Sequence, residues 1–506
     1  RHLMIRVLIS LTVMASVLHA EPTVVVVGGG LAGLSASLDI INGGGRVILV
    51  EGEGNTGGNS AKASSGINGA GTETQEKLGI KDSPELLVKD TLSAGDSEND
   101  KKLVEILAAN SADAVEFLRG VEVDLTDVNL CGGHSVPRTH WIPSPKEGRP
   151  IPAGFEIMKR LRTRLNEKQS ENPEAFKLLT QTKMVGILRE NGKVSGIEIV
   201  TSASGEKSKI IGDAVILATG GFSADETLLK EFGAEIFGFP TTNGAFAKGD
   251  GVKIARALGA KIIGMENIQI HPTAFVDPKD PSAGTKFSAA EAIRGKGALL
   301  INSKGQRFGN ELGRRDYLTG KILELAEPIE ESFQGGSAGR NAAIMIMNEA
   351  NVEAFGRPAF NFYSIVKKFF AKYENSAELA KALGIDESAI KTTLEEYQKS
   401  FDGKSEDPFG KKVFPVSAIS PTEPIYAAIV VPAIHYTMGG LKIDEATRVI
   451  DEHGKPIVGL FAAGEVTGGV HGSNRLAGNS LLECVVFGRI AGKSAAQSAA
   501  ETRTEL

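Results

Sequence analysis

Gly28, Gly30 and Gly33, with Glu51 further on, are the first residues whose types and spacing can do chemistry. The pattern Gly28-x-Gly30-x-x-Gly33 follows four consecutive valines, residues 24–27. In such a fingerprint the first glycine permits a tight turn, the second lets a pyrophosphate reach the backbone, and the third lets helix and strand pack closely. Glu51 stands about 20 residues past the glycines, where a ribose hydroxyl needs an acceptor. A glycine fingerprint alone also fits a turn that binds nothing, so the surrounding elements must decide.

Those elements agree. The valine run reads as a buried parallel strand, a helix is expected from Leu31 to Asn42, and a second strand from Arg46 to Val50 ends at Glu51. A helix starting directly after the glycines offers free N–H groups and a partial positive charge to phosphates. The arrangement points to a bound dinucleotide. Residues 52–60 and 64–68 then form a long Gly/Ser/Asn loop with the hydroxyls and amides that a second phosphate or a flavin ring needs.

Composition narrows the field. The chain has 506 residues, 41% hydrophobic and 23% charged, ordinary globular material with room for two or more domains. A net charge of -6 without a basic tract argues against a nucleic-acid surface. Its 2 cysteines, Cys131 and Cys484, are too few for an iron–sulfur cluster, and there is no Cys-x-x-Cys-His haem site. The dinucleotide is therefore the expected redox group, and no metal site is expected.

At the N-terminus a basic start, an apolar run over residues 7–18 and a small residue before Glu21 fit a secretory signal or short signal anchor. The expected compartment is the secretory pathway or endoplasmic reticulum, with the mitochondrion as the alternative and residues 1–20 as an N-terminal membrane tether. The tail Arg503-Thr504-Glu505-Leu506 resembles a retention signal, except at Thr504.

Helical periodicity recurs over 84–92, 101–118 and 155–166. Strands are expected over 183–189, 193–201 and 208–217, the first two joined by an Asn191-Gly192 hairpin turn. The last delivers Ala218-Thr219-Gly220-Gly221. From about Met265 to Ile434 the chain is a mixed helix–strand block without glycine fingerprints, including a helix over 388–401. Nucleotide-type grammar resumes at Leu460-Phe461-Ala462-Ala463-Gly464-Glu465 and ends in a helix after Gly478. The expected fold is α/β: a Rossmann-like dinucleotide-binding domain (21–264 and 435–506) carrying an inserted α+β capping domain (265–434).

Read in order, the motifs converge. The glycine turn, Gly57-Gly58-Asn59-Ser60, Ala218-Thr219-Gly220-Gly221, Gln269-Ile270-His271-Pro272-Thr273, Glu291-Ala292-Ile293-Arg294-Gly295, Asn310-Glu311-Leu312-Gly313-Arg314-Arg315-Asp316, His435-Tyr436-Thr437-Met438-Gly439-Gly440 and Asn474-Arg475-Leu476 share one sequence. Together they resemble the flavoprotein family of fumarate reductases and succinate dehydrogenases, above all its soluble, single-chain, yeast-type members, over roughly residues 23–495.

The resemblance implies FAD at the Gly28–Gly33 turn, with Glu51 on the adenosine ribose. It places Gly58, Asn59, Ser60, Ser64, Gly66, Thr219, Gly220, Asp250, Ser480 and Leu481 around the cofactor. Glu465 divides evenly between flavin contact and cap structure. Membrane-bound members attach the flavin to a histidine in the loop corresponding to 59–61. No histidine lies between residues 51 and 70, so non-covalent FAD is implied.

The resemblance also implies a trans-dicarboxylate site, with His271, His435 and Arg475 around the carboxylates. One arginine beside one carboxylate is worth about 4 kcal/mol at an effective dielectric of 20, before desolvation. Arg475 can grip a carboxylate bidentately and fix its plane. Hydride would pass from flavin N5 to one alkene carbon, while Arg315 protonates the other and is recharged through Glu291 and Arg294. An arginine is a poor acid in water, but a carbanion-like product and a buried carboxylate shuttle make the role reasonable. Seen in isolation, Glu291 and Arg294 at i and i+3 would be an ordinary surface ion pair of a helix. One position departs from the flavocytochrome-type pattern, which has Thr before the relay glutamate where this chain has Ala290.

The expected reaction is reduction of fumarate to succinate. Competing readings are an L-aspartate oxidase, a urocanate reductase, a 3-ketosteroid dehydrogenase, or a flavin-binding electron-relay subunit. Without a haem, iron–sulfur or second nucleotide fingerprint, electrons are expected from reduced FMN or FAD, or from a partner reductase.

Overall fold

The computed structural model describes residues 21–504 apart from Ser65 and Arg149. The signal-like segment 1–20 and the last two residues of the tail lie outside the described residues. Among those described, no helix is long and apolar enough to cross a membrane.

The valine run is the central strand β1 (Thr23–Val27), with its four valines buried. It pairs in parallel with β2 (Arg46–Val50) on one side and with Ala214–Leu217 on the other. Phe176–Leu179 extends the sheet beyond β2, and Pro456–Ala462 extends it beyond Ala214–Leu217. Arg448–Ile450 adds an antiparallel edge. Strands buried on both faces read as continuous apolar runs, which is why β1 is legible without alternation.

Helix α1 (Leu31–Asn42) packs along the C-terminal helix Asn479–Thr504. Small residues allow the approach: a Cβ at Gly488 or Gly492 would lie 2.6 Å from the carbonyl oxygen of Ala32 or Ala36. Larger side chains at either position would force the helices apart.

Two sequence expectations need correction. The single strand expected over 208–217 is two, Lys207–Ile211 and Ala214–Leu217, in different sheets. The chain changes sheet at Gly212-Asp213, where the Asp213 carboxylate accepts from the Thr23 amide at 2.8 Å. Likewise, the helix expected over 101–118 is broken into Lys101–Ala109 and Ser111–Arg119. Asn110 sits between them and its side-chain amide donates to the Ile106 carbonyl at 2.8 Å, a local bond that competes with helix continuation. The hairpin of Thr182–Glu190 and Lys193–Thr201 turns at Asn191 and Gly192, both at positive φ (51° and 79°), as a type I′ turn requires.

A second sheet is antiparallel. Ile268–Phe275 pairs with the 13-residue strand Ile425–Thr437, which pairs in turn with Ala343–Met347 and Ala371–Tyr373; Leu299–Ile301 completes it. Its own apolar core is built on Phe275, Phe360, Phe369, Phe370 and Met345, separate from the core around β1. Register sets up the site, since Gln269 lies opposite Tyr436 and His271 opposite Ala433.

Candidate active site

A cavity of about 1400 Å³ opens where the C-terminal end of β1 meets the inserted block. At its floor the Gly28–Gly33 turn is too tight for side chains. Gly28 has φ 108°, and a Cβ on Gly33 would lie 1.9 Å from the Gly28 carbonyl oxygen. Gly33 therefore packs helix on strand, while Gly28 and Gly30 line the cavity. Helix α1 begins at Gly30 without a side-chain cap; the Leu31 amide donates to Ser60 Oγ at 3.2 Å. Glu51 accepts from the amides of Gly29 and Glu53, each at 2.8 Å, which fixes its carboxylate at the end of β2. Burial pushes that carboxyl up against these bonds.

The cradle fits a dinucleotide. Thr219 Oγ1 is buried in the cavity wall with no hydrogen-bond partner, a polar atom left for a ligand. Gly58, Asn59, Ser60, Ser64 and Gly66 form one stretch of the wall. Gly220, Asp250, Glu465, Ser480 and Leu481 line it elsewhere. Asn59 is held by accepting from the Gly244 amide at 3.0 Å. Glu465 accepts from the Thr437 amide at 2.9 Å and its hydroxyl at 3.0 Å. Burial outweighs these bonds and pushes its carboxyl up to about 7.

Beyond the cradle, six charged or imidazole side chains converge from distant parts of the sequence. Arg315 opens the helix Arg315–Leu325 and reaches the cavity wall. Its Nε donates to Glu291 Oε2 at 3.0 Å and its Nη1 to Gln269 Oε1 at 2.8 Å. The remaining nitrogen, Nη2, is left for a ligand. Glu291 and Arg294 lie one turn apart on the short helix Glu291–Gly295, behind Arg315 rather than in the wall. Glu291 Oε1 accepts from the Gly132 amide at 2.7 Å, and Oε2 lies 4.0 Å from Arg294 Nη2. Arg294 is fully buried, anchored by Nη1 on the Glu311 carbonyl at 2.7 Å, with Nε and Nη2 unpartnered. The surface ion pair that an i, i+3 spacing suggests is here an interior one.

His435, near the end of Ile425–Thr437, lines the cavity with its Nδ1 2.6 Å from Thr242 Oγ1. The His271 ring lies 4.9 Å from it, centroid to centroid. His271 Nδ1 accepts from the Thr273 amide at 3.1 Å, so its proton sits on Nε2, which has no partner. Arg475 faces the cavity with its guanidinium 4.2 Å above the Tyr436 ring, and its Nε is unpartnered. Ala290, also in the wall, presents no hydroxyl.

Electrostatics make this an anion site. Burial, Arg315 and the neighbouring imidazole hold His271 far below the usual histidine range. Burial, with Arg315 and Arg475, does the same to His435. Both rings are therefore neutral, and His271 presents its Nε2–H as a donor. Burial pushes Glu291 up, but Arg315 and Arg294 outweigh it and hold the carboxyl below its ordinary value. Three buried arginines thus face one firmly ionised carboxylate, with Glu465 near neutrality.

Some contributors escape sequence reading. Gln269 joins the two walls of the site: its Oε1 takes Arg315, and its Nε2 donates to the Arg475 carbonyl at 2.7 Å and to Asn474 Oδ1 at 3.0 Å. Its place two residues before His271 on one strand, hence on the same face, was the available signal. Thr242 and Gly132 carried none. His140, bonded to Thr72 and to the Arg138 carbonyl at 2.8 Å each, is structural. Cys131 and Cys484 are both free and buried.

Comparison with known proteins identifies the family of the chain. The profile of the FAD binding domain family matches residues 23–481. The fumarate reductase of Schizosaccharomyces pombe is 38% identical over 484 residues, covering 94% of this chain and 89% of that one. Fumarate reductase 1 of Saccharomyces cerevisiae is 39% identical over 481 residues, covering 94% of this chain and 98% of that one. Among solved structures, the open conformation of a flavocytochrome c3 fumarate reductase superposes with a TM-score of 0.72 at 33% identity, covering 95% of this chain and 78% of that one.

Proposed function

The chain belongs to the FAD-binding flavoprotein family of fumarate reductases, and from that premise we propose that this FAD-dependent oxidoreductase reduces fumarate to succinate. The observation that carries the proposal is charge. Arg294, Arg315 and Arg475 bring three positive charges against one on Glu291, an excess that a dicarboxylate neutralises. Fumarate is such a dianion, and its flat trans geometry suits clamping from two sides.

Each residue then has a task. Arg475, its guanidinium 4.2 Å from the Tyr436 ring centroid, pairs with one carboxylate through its planar fork. His435 and His271, both neutral, donate to carboxylate oxygens without adding charge. FAD, held non-covalently because residues 51–70 carry no histidine, supplies the hydride when bound. Arg315 is the acid: with Nε and Nη1 fixed by Glu291 and Gln269, Nη2 gives a proton to the second alkene carbon. In this reading Glu291 returns a proton to Arg315 across their 3.0 Å contact, and Arg294, its Nη2 4.0 Å from Glu291, returns one to Glu291.

A buried guanidinium is an effective donor here because the product of hydride addition is a far stronger base. The neutral guanidine left behind is reprotonated by Glu291 once that carboxylate has taken a proton from Arg294. Electrons come from an external donor, reduced FMN or FAD or a partner reductase. Purified protein supplied with excess chemical reductant and fumarate should form one succinate for every two electrons of reductant consumed. Consumption without succinate would reject the reading in favour of an electron relay.

A further inference from the structure

Behind Arg475 lies a cluster that the proposed chemistry does not use. Glu483, on the C-terminal helix, is 1% exposed and places Oε2 3.0 Å from His471 Nε2. His471, in the loop before that helix, is 2% exposed and meets Tyr436 edge-on, with ring centroids 5.5 Å apart and planes at 82°. The Tyr436 hydroxyl lies 3.5 Å from the same Nε2. The Tyr436 ring also carries the Arg475 guanidinium, 4.2 Å from its centroid. Four side chains therefore run in unbroken contact from the helix to the cavity wall.

The chemistry of the pair follows from what surrounds it. Among the described residues no lysine or arginine forms an ion pair with Glu483, and neither carboxyl oxygen has a hydrogen-bond donor; the imidazole Nε2 lies 3.0 Å from Oε2. An isolated buried carboxylate is too costly to keep, so the side chain is the neutral acid. The 3.0 Å contact suits an O–H directed at His471 Nε2, which leaves Nδ1, buried without a partner, to carry the imidazole proton. Burial pushes the Glu483 carboxyl up and the His471 ring down, in the same sense. An anion at Glu483 would compete with substrate for Arg475; a neutral acid leaves the guanidinium charge for the ligand.

We propose that Glu483 and His471 form an uncharged brace that fixes, through Tyr436, the plane of Arg475, making Glu483 a positioning residue for dicarboxylate affinity rather than for turnover. This rests on the assignment of Arg475 as a carboxylate clamp. A brace that only orients a binding group changes affinity and leaves the rate at saturation nearly intact. A glutamine in place of the neutral acid keeps a donor at the same point and preserves the brace, whereas leucine fills the space without one.

The test compares Glu483→Leu and Glu483→Gln in the FAD-loaded enzyme. It measures KM and kcat for fumarate and the dissociation constant of malonate from the perturbed flavin spectrum. Glu483→Leu should raise KM and the malonate constant by about tenfold or more with kcat within about threefold; Glu483→Gln should recover both constants to within about threefold. FAD content should be unchanged in both. Equal malonate binding in Glu483→Leu and wild type overturns the brace, and so does a Glu483→Gln as impaired as the leucine variant. If Glu483→Leu does not fold, Tyr436→Leu removes the ring but keeps the buried acid and should show the same loss, while Tyr436→Phe should not. Unaltered malonate binding in Tyr436→Leu also overturns the proposal. A wild-type enzyme that binds no dicarboxylate overturns the substrate reading and the brace with it. Tight wild-type binding with equally tight binding in Glu483→Leu overturns the brace alone.

Discussion

Arg315 and Glu291 lie 3.0 Å apart, Nε to Oε2, with side chains 3% and 2% exposed. At that depth, neither charge is tolerable without the other. Among the described residues, this pair is also the contact through which the cavity-facing guanidinium meets a group able to return a proton to it, since its second anchor, Gln269, is neutral. One contact thus holds the acid in place and connects it to its supply.

The first prediction separates acid from clamp. Arg315→Ala should bind FAD and accept electrons from a chemical reductant, yet lose at least the ~10² to 10⁴-fold in kcat that a positioned acid contributes. Arg315→Lys keeps a charge but cannot reach both Glu291 and Gln269, and should recover little. A raised KM with near-normal kcat, read from steady-state kinetics, would transfer the acid role elsewhere.

Glu291→Gln keeps the shape of the relay and removes its proton carrier. Its expected signature is a lower kcat with fumarate KM within about threefold of wild type. Because Arg294 and Arg315 then lose their carboxylate, unfolding in urea should also show a loss of about 3 to 5 kcal/mol.

How much of this was legible beforehand varies with the physics involved. The cradle was readable because β1 is a continuous valine run and its turn needs glycine, a backbone requirement written in residue type. The shared face of Gln269 and His271 went unread, because the strand Ile268–Phe275 that gives them period two was not expected. Arg315 meeting Glu291, 24 residues apart, was available only through family resemblance, because no local rule brings two short helices together. The break at Asn110 and the sheet change at Gly212-Asp213 depend on side-chain bonds to the Ile106 carbonyl and the Thr23 amide. The brace under Arg475 joins strand, loop and helix, and has no spacing of its own.

Arg475→Met removes the bidentate partner while leaving Tyr436 and Gln269 in place. The expected result is a rise in fumarate KM of at least about a hundredfold, as for a charged hydrogen bond of roughly 3 kcal/mol. Titration with malonate should weaken in parallel.

Glu465 gives a pH prediction. Its carboxyl, ordinarily near 4.5, is pushed up to about 7 by burial, so the folded protein binds the proton more tightly than the unfolded chain. Its contribution to stability is fully present below about 4.5 and is lost as pH rises through about 7. In flavin-free protein, Glu465→Gln keeps an acceptor for Thr437 and removes the titration. Chemical denaturation should find this variant more stable than wild type at pH 8, by up to about 3 kcal/mol, with the gap narrowing steadily toward pH 4.5.

The covalent state of the cofactor is checked by acid precipitation, which should leave a colourless pellet and a yellow supernatant. A fluorescent polypeptide on a denaturing gel would contradict the reading drawn from the loop at 51–70.

The central claim, that the arginine-lined cavity reduces fumarate, is tested most directly in a single turnover. The bound flavin is reduced without excess reductant under anaerobic conditions and mixed rapidly with fumarate, and its visible absorbance is followed. The account predicts full reoxidation at a rate that saturates with fumarate, one succinate per flavin, and a loss of at least about a hundredfold in that rate in Arg315→Ala. Flavin that stays reduced in the presence of saturating fumarate, while a different acceptor reoxidises it, would contradict the account.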